Sequence, residues 1–73
     1  MIIGEVILVN HEGRPTVWPV KRSGDDDRAH LLEVFEASKS MCKYELMQGG
    51  TLKLIDSDKN LIAEHRGPLV QHP

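Results

Sequence analysis

The chain has 73 residues, a formal charge of −2 and a hydrophobic fraction of 40%. This length allows one domain, and the apolar fraction is typical of a folded chain rather than a disordered one. The near-neutral charge disfavours a protein that holds nucleic acid mainly through its phosphates. Cys42 is the only cysteine, which excludes an internal disulfide. A reducing compartment is therefore favoured, and we expect a cytoplasmic protein.

The first ten residues, MIIGEVILVN, predict a β-strand rather than a targeting segment. They contain Glu5, lack a basic start and are too short to span a membrane. Alternation along residues 2–10 places apolar side chains on both faces: Ile2, Val6 and Leu8 on one, and Ile3, Ile7 and Val9 on the other. A strand that is apolar on both faces is expected near the centre of a sheet.

The next segment predicts a hairpin. His11 to Arg14 form a turn, in which Gly13 can adopt the positive φ that tight hairpins require. The return strand covers residues 16–22 and contains Pro19, which has no N–H to donate to a neighbouring strand. This strand is therefore expected at an edge of the sheet.

A helix is predicted after the hairpin. Ser23 with Asp26 resembles a capping box, and Asp25 is an equally good N-cap. The apolar stripe follows helical spacing and consists of Leu31, Val34, Phe35 and Ser38.

Residues 42–48 allow two interpretations. The first continues the helix to Gln48 and ends it at Gly49-Gly50. The second makes them a strand, with a hairpin loop over residues 48–50. The strand is favoured because its register keeps one side apolar: Leu46 faces Leu52, Tyr44 faces Leu54, and Glu45 faces Lys53 on the other side.

A further hairpin is predicted over Asp58-Lys59. In that register three pairs form: Leu54 with Ala63, Lys53 with Glu64, and Ile55 with Ile62. The fold class is then α+β, a small single domain with an antiparallel-rich sheet and one helix on one face, in the order β-β-α-β-β-β. The domain is expected to cover residues 1–66, and residues 67–73 are expected to form a flexible tail.

One helix covers one face of such a sheet. Its covered face is predicted to hold Tyr44, Leu46, Leu52, Leu54 and Ala63. The opposite face is left open and is the predicted partner-binding surface, with Ile55, Ile62, Lys53 and Glu64, and with Ile7 and Val9 on the same side. Two occupants are considered besides a protein partner: a second copy of the chain, or the tail, folded back through Leu69 and Val70.

This surface predicts a non-catalytic protein-interaction module, a small regulator or inhibitor of a larger assembly. The β-β-α-β-β-β layout is similar to that of several small phage-encoded inhibitors, including some anti-CRISPR proteins, and this resemblance implies inhibition by binding. LVNHEGRPTVWPVKR resembles the opening hairpin of many Nudix hydrolases, but the acidic Nudix box is absent, so it implies no activity.

Nucleic-acid binding is the alternative function. Basic side chains could share a surface, and the single tryptophan could stack on a base; the residues concerned are Trp18, Lys21, Arg22, Lys43 and Arg66. Salt separates the two functions, because phosphate contacts weaken steeply as salt rises whereas an apolar interface does not.

No enzyme, metal site or cofactor is expected. The four histidines (His11, His30, His65 and His72) show no ligand spacing, and Cys42 has no local activating signature. Asp56 to Asn60 match half of a calcium loop, but Leu61 stands where that loop needs glycine. A hairpin turn explains those residues better.

Overall fold

The structure, a computed structural model, describes residues 1–67. Its elements are β1 (Ile2–Val9), β2 (Pro15–Lys21), α1 (Asp27–Met41), α2 (Lys43–Met47), β3 (Thr51–Asp56) and β4 (Leu61–Arg66). The four strands form one antiparallel sheet in the order β2-β1-β3-β4. The α+β class is confirmed, with one main helix packed on β1 and β3.

The N-terminal hairpin follows the sequence prediction. β1 lies inside the sheet and β2 lies at its edge, as the apolar run and Pro19 indicate. Gly13 takes a φ of +86°. The side chain of Asn10 accepts hydrogen bonds from the backbone N–H groups of Glu12 and Arg14, both at 2.9 Å. These bonds hold the turn closed without help from the rest of the fold.

The N-cap of α1 is Asp26, so both predicted caps, Ser23 and Asp25, are wrong. Its carboxylate accepts a hydrogen bond from the N–H of Ala29 at 3.0 Å. Immediately after the cap, Arg22 donates to Asp27 at 2.6 Å, and this bond lowers the pKa of the Asp27 carboxyl. The Arg22–Asp27 pair thus joins the end of β2 to the first turn of α1.

The predicted strand over residues 42–48 is also wrong. Lys43–Met47 form α2, separated from α1 by Cys42 at φ −100° and ψ 21°. The element order is therefore β-β-α-α-β-β, and the predicted pairs of residues 44–46 with β3 do not exist. Instead, β3 pairs with β1, so that Leu52 faces Leu8 and Leu54 faces Val6.

The end of α2 shows why the helical interpretation holds. Gly49 has a φ of +103°, and its N–H donates to the carbonyl of Leu46 at 3.0 Å. The N–H of Gly50 donates to the carbonyl of Glu45, also at 3.0 Å. These two bonds form a Schellman motif, which satisfies carbonyls that a helix end otherwise leaves without donors. The Gly-Gly pair is thus a helix stop and not a hairpin loop.

The core lies between the two helices and one face of the sheet. It consists of Ile3, Val6, Leu8, Val20, Leu31, Phe35, Cys42, Leu46, Leu52 and Leu54. The predicted stripe of α1 is confirmed, with Leu31, Phe35 and Ser38 buried. Tyr44 is 76% exposed, so its predicted place in the core is wrong, because α2 turns Leu46 inward and Tyr44 outward.

Two β-bulges change which face some side chains occupy. In β1 the register shifts between Ile2 and Gly4, which places Ile3 on the helix side, opposite to the prediction. In β4 the extra residue is Ile62, because Leu54 pairs with Ala63 whereas the next residue, Ile55, pairs with Leu61. Gly4 has no room for a Cβ, which would meet the carbonyl oxygen of Ile55 and the side chain of Leu31. The first bulge thus accompanies close packing of α1 on β1.

The β3–β4 hairpin turns at the predicted place, but its loop covers residues 57–60 rather than Asp58-Lys59 alone. The carboxylate of Asp56 accepts hydrogen bonds from the N–H groups of Asn60 and Asp58, both at 2.9 Å. The bond from the Asn60 backbone contributes most to a lowered pKa of Asp56. The predicted pairs of Leu54 with Ala63 and of Lys53 with Glu64 are confirmed. The acidic turn therefore has a structural role.

Gly67 is the last described residue, and its N–H donates to the carbonyl of Gly50 at 2.8 Å. The rest of the predicted tail, residues 68–73, lies outside the described residues, as does the alternative in which Leu69 and Val70 cover the sheet.

Candidate interaction surface

The side of the sheet that faces away from α1 is termed the open face. Strand pairing arranges its side chains in three rows that each cross all four strands. The rows are Pro15-Val9-Thr51-Arg66, Val17-Ile7-Lys53-Glu64 and Pro19-Glu5-Ile55-Leu61. Within residues 1–67 no helix covers this face, since both helices lie on the other side.

Apolar side chains occupy most of the open face. Val17 on β2 is 50% exposed and Leu61 on β4 is 55% exposed. Ile7, Val9 and Ile55 lie between them and are half-buried by their neighbours in the sheet. The result is an apolar strip from one sheet edge to the other, in contact with solvent.

The charged side chains of the open face balance one another locally. Lys59 Nζ lies 3.4 Å from Glu5 Oε1, and Arg66 Nε lies 3.3 Å from Glu64 Oε2. Lys53 pairs across the sheet with Glu64. Such exposed pairs add little stability, but they leave the face without a strong excess of either sign.

Five of the six residues predicted to bind a partner lie together on the open face: Ile55, Lys53, Glu64, Ile7 and Val9. The sixth, Ile62, does not. The bulge in β4 turns Ile62 toward the helix side, where it packs against the core and lines a groove with Ile3 and Leu31. The predicted pair of Ile55 with Ile62 is wrong, and Leu61 stands beside Ile55 instead.

Two large hydrophobic side chains exposed on this face, Val17 and Leu61, were missed by the sequence prediction. Val17 could have been found, because a hairpin closed over residues 10–14 places it directly opposite Ile7. Leu61 could not, because only the bulge brings it onto the face, and the regular alternation of a strand places it on the other side.

The structure does not bring the predicted nucleic-acid residues together. Lys21 lies at the end of β2 opposite Ile2, whereas Arg66 lies at the end of β4, on the other edge of the sheet. Trp18 is half-buried against the core, and Arg22 is bonded to Asp27. Lys43 belongs to α2. The nucleic-acid alternative stays a prediction without a shared surface.

A groove lies on the helix side beside β4. It is lined by Glu36, Lys39, Ser40, Lys43 and His65 and has a volume of about 310 Å³. The Nε2 atom of His65 is buried and has no hydrogen-bond partner within residues 1–67. The ammonium group of Lys39 contacts two neighbours on α1, with Nζ 3.0 Å from the carboxylate of Glu36 and 5.6 Å from the centre of the Phe35 ring.

Cys42 has the environment of a structural cysteine. It is buried between the helices, and burial, with a smaller contribution from Glu45, raises the pKa of its thiol. A raised pKa leaves little of the nucleophilic thiolate. In the described part of the chain, no three His, Cys, Asp or Glu side chains lie close enough to hold a metal ion.

Neither α1 nor α2 has the length and the apolar character needed to cross a membrane. Comparisons of the chain with family models, curated proteins and solved structures found no significant match.

Proposed function

We propose that this chain is a non-catalytic protein-binding module that contacts another protein through the open face. The observation that carries this proposal is the uncovered apolar strip, in which Val17 and Leu61 are each about half exposed at opposite edges of the sheet. Burying each of these side chains in an interface would contribute roughly 1 kcal/mol or more to binding.

The chemistry of the open face favours a protein over a nucleic acid. Two cations at this face lie in ion pairs within the chain, Lys59 with Glu5 and Arg66 with Glu64, which weakens their attraction for a phosphate backbone. The apolar strip of Val17, Ile7, Ile55 and Leu61 crosses the face beside Glu5, Lys53 and Glu64, which suits a partner surface that combines apolar groups with charges of both signs.

The open face offers an extended surface rather than a pocket, and such a surface suits a module that acts by contact with another protein. We therefore assign it the role of a small regulator or inhibitor that binds a larger assembly in the cytoplasm. Its open face would mask or complete a site on that assembly.

The test introduces a lysine at each end of the apolar strip. Tagged wild type, Val17→Lys and Leu61→Lys are used to capture proteins from cells that naturally encode the chain. Leu32→Lys is the matched control, because Leu32 is 40% exposed but lies on α1, away from the open face. Each lysine at an exposed site should change the free energy of unfolding by less than about 0.5 kcal/mol.

We expect the wild type and Leu32→Lys to retain the same protein, and both open-face variants to retain at least about tenfold less. The complex should survive a rise from low to moderate salt. Equal capture by all four proteins would refute the open face as the binding surface. Capture of nucleic acid that disappears at moderate salt would support the alternative function instead.

A further inference from the structure

The two edges of the sheet differ in their capacity to pair with another strand. β2 carries Pro15 and Pro19, which have no N–H groups. β4 contains no proline, and its outer side has no neighbouring strand within residues 1–67. An unpaired edge of this kind is a template for addition of a further strand.

The direction of the backbone groups of β4 follows from one hydrogen bond. The N–H of Gly67 donates to Gly50 and therefore points toward the β3 side. Backbone groups alternate in direction along an antiparallel strand. Those of His65 thus point toward β3, and those of Glu64 and Arg66 point outward, away from the sheet. The residues with outward backbone groups are also the charged residues of the strand.

We propose that two copies of the chain pair through antiparallel β4 strands, with Glu64 of each copy opposite Arg66 of the other. In this register each Glu64 and its facing Arg66 exchange two backbone hydrogen bonds, and the two His65 residues meet on the two-fold axis. The pairing uses residues 63–67 and leaves out the bulge at Ile62. The partner is thus a second copy of this chain.

Charge complementarity selects this register. Side chains alternate between the faces of a strand, so a shift of one residue between the two β4 strands would put the open faces of the copies on opposite sides. Only shifts of two residues are therefore allowed. The neighbouring register on one side places Glu64 opposite Glu64, a repulsive pair. In the proposed register, Lys53, Glu64 and Arg66 of the second copy form a row of alternating charge across the seam.

The same geometry limits the assembly to two copies. After β4 pairs with β4, the outer strands of the eight-stranded sheet are the two proline-containing β2 strands. The two open faces become one continuous surface. The inference is independent of the proposed function, because it uses the edge of the sheet rather than the apolar strip.

The first test is a charge swap, followed by light scattering over a series of concentrations. The wild type should have the mass of two chains. Glu64→Arg and Arg66→Glu should each raise the dimer dissociation constant about tenfold, because the two-fold axis duplicates every like-charge contact. The double variant, Glu64→Arg with Arg66→Glu, should restore dimerisation to within about threefold of wild type. Lys21→Glu, on the β2 edge, is the control and should have no effect.

The second test reads the register by disulfide formation. Directly opposite residues that do not exchange hydrogen bonds have Cβ atoms about 4.5–5.5 Å apart, near the distance that a disulfide needs. His65→Cys should therefore give a covalent dimer under mild oxidation. Ala63→Cys should not, because in this register its two copies are separated by four residues along the strand, about 13 Å. The wild type, whose single cysteine Cys42 is buried, measures the background level of covalent dimer under the same oxidation.

A monomeric wild type at all concentrations overturns the proposal. A dimer that the charge swap fails to restore, or that crosslinks through Ala63→Cys, also overturns it. The Val17→Lys variant separates the two inferences, because it should reduce capture of the partner protein at least about tenfold and leave the dimer intact.

Discussion

At the scale of single residues, side-chain hydrogen bonds decide where elements begin and turns close. Asp25, Asp26 and Asp27 follow one another, and each has a carboxylate able to cap a helix. Arg22 engages Asp27, so that Asp26 is left facing the N–H of Ala29. Of the three neighbouring aspartates, Asp26 caps the helix and Asp27 binds the end of β2.

The assignment of Asp26 as the N-cap can be tested by removing each candidate capping side chain. Asp26→Ala should lower the free energy of unfolding by about 1 kcal/mol, because an N–H of the first turn loses its acceptor. Asp25→Ala and Ser23→Ala are matched controls and should change it by less than about 0.5 kcal/mol. Urea denaturation measures all three. A larger loss for Asp25→Ala than for Asp26→Ala would show that the cap is assigned to the wrong residue.

At the scale of elements, α2 shows how a local pattern can fit two structures. KYELM satisfies the alternation of a strand, with Tyr44 and Leu46 on one side. It also fits one helical turn that buries only Leu46. Two features favour the helix. Gly49 can close the Schellman motif, and β3 pairs with β1, where Val6 and Leu8 lie opposite Leu54 and Leu52.

The two alternatives differ in the role of Tyr44. Leu46 is fully buried, and Leu46→Ala should cost about 2–5 kcal/mol of stability. Tyr44→Ala removes a side chain that is 76% exposed and should cost less than about 0.5 kcal/mol. Thermal and chemical denaturation of the two variants give the comparison. Similar large losses would indicate that Tyr44 is in the core and that this segment is a strand.

At the scale of the whole molecule, sheet order controls which backbone groups are protected. β1 and β3 are interior strands and β2 and β4 are edges. Along β4, protection should alternate, because inward N–H groups bond to β3 and outward groups have no partner in residues 1–67.

Amide hydrogen exchange measured by NMR tests both the edge and its pairing. In dilute solution the amide of His65 should exchange slowly and those of Glu64 and Arg66 rapidly. Raising the protein concentration should slow exchange at Glu64 and Arg66 selectively, as two β4 strands pair. Slow exchange at these two residues in dilute solution would instead mean that another part of the same chain occupies the edge.

What the sequence determined by itself is local. The apolar run of β1, the proline of β2, the stripe of α1 and the hairpin turn at Asp56 each follow from residues close together in the chain, so pattern and chemistry sufficed. Regular alternation also puts Ile7 and Val9 on one side of β1, and Lys53 and Ile55 on one side of β3.

Tertiary structure alone decided the rest. The pairing of β3 with β1, the exposure of Tyr44 and the two bulges depend on contacts between segments distant in the sequence. The bulge in β4 puts Leu61 on the open face in place of the predicted Ile62, because one extra residue reverses the side of the strand on which the following side chains lie. The alternation of side chains along a strand cannot predict where this extra residue lies, because its position depends on how β3 and β4 pair in the folded chain.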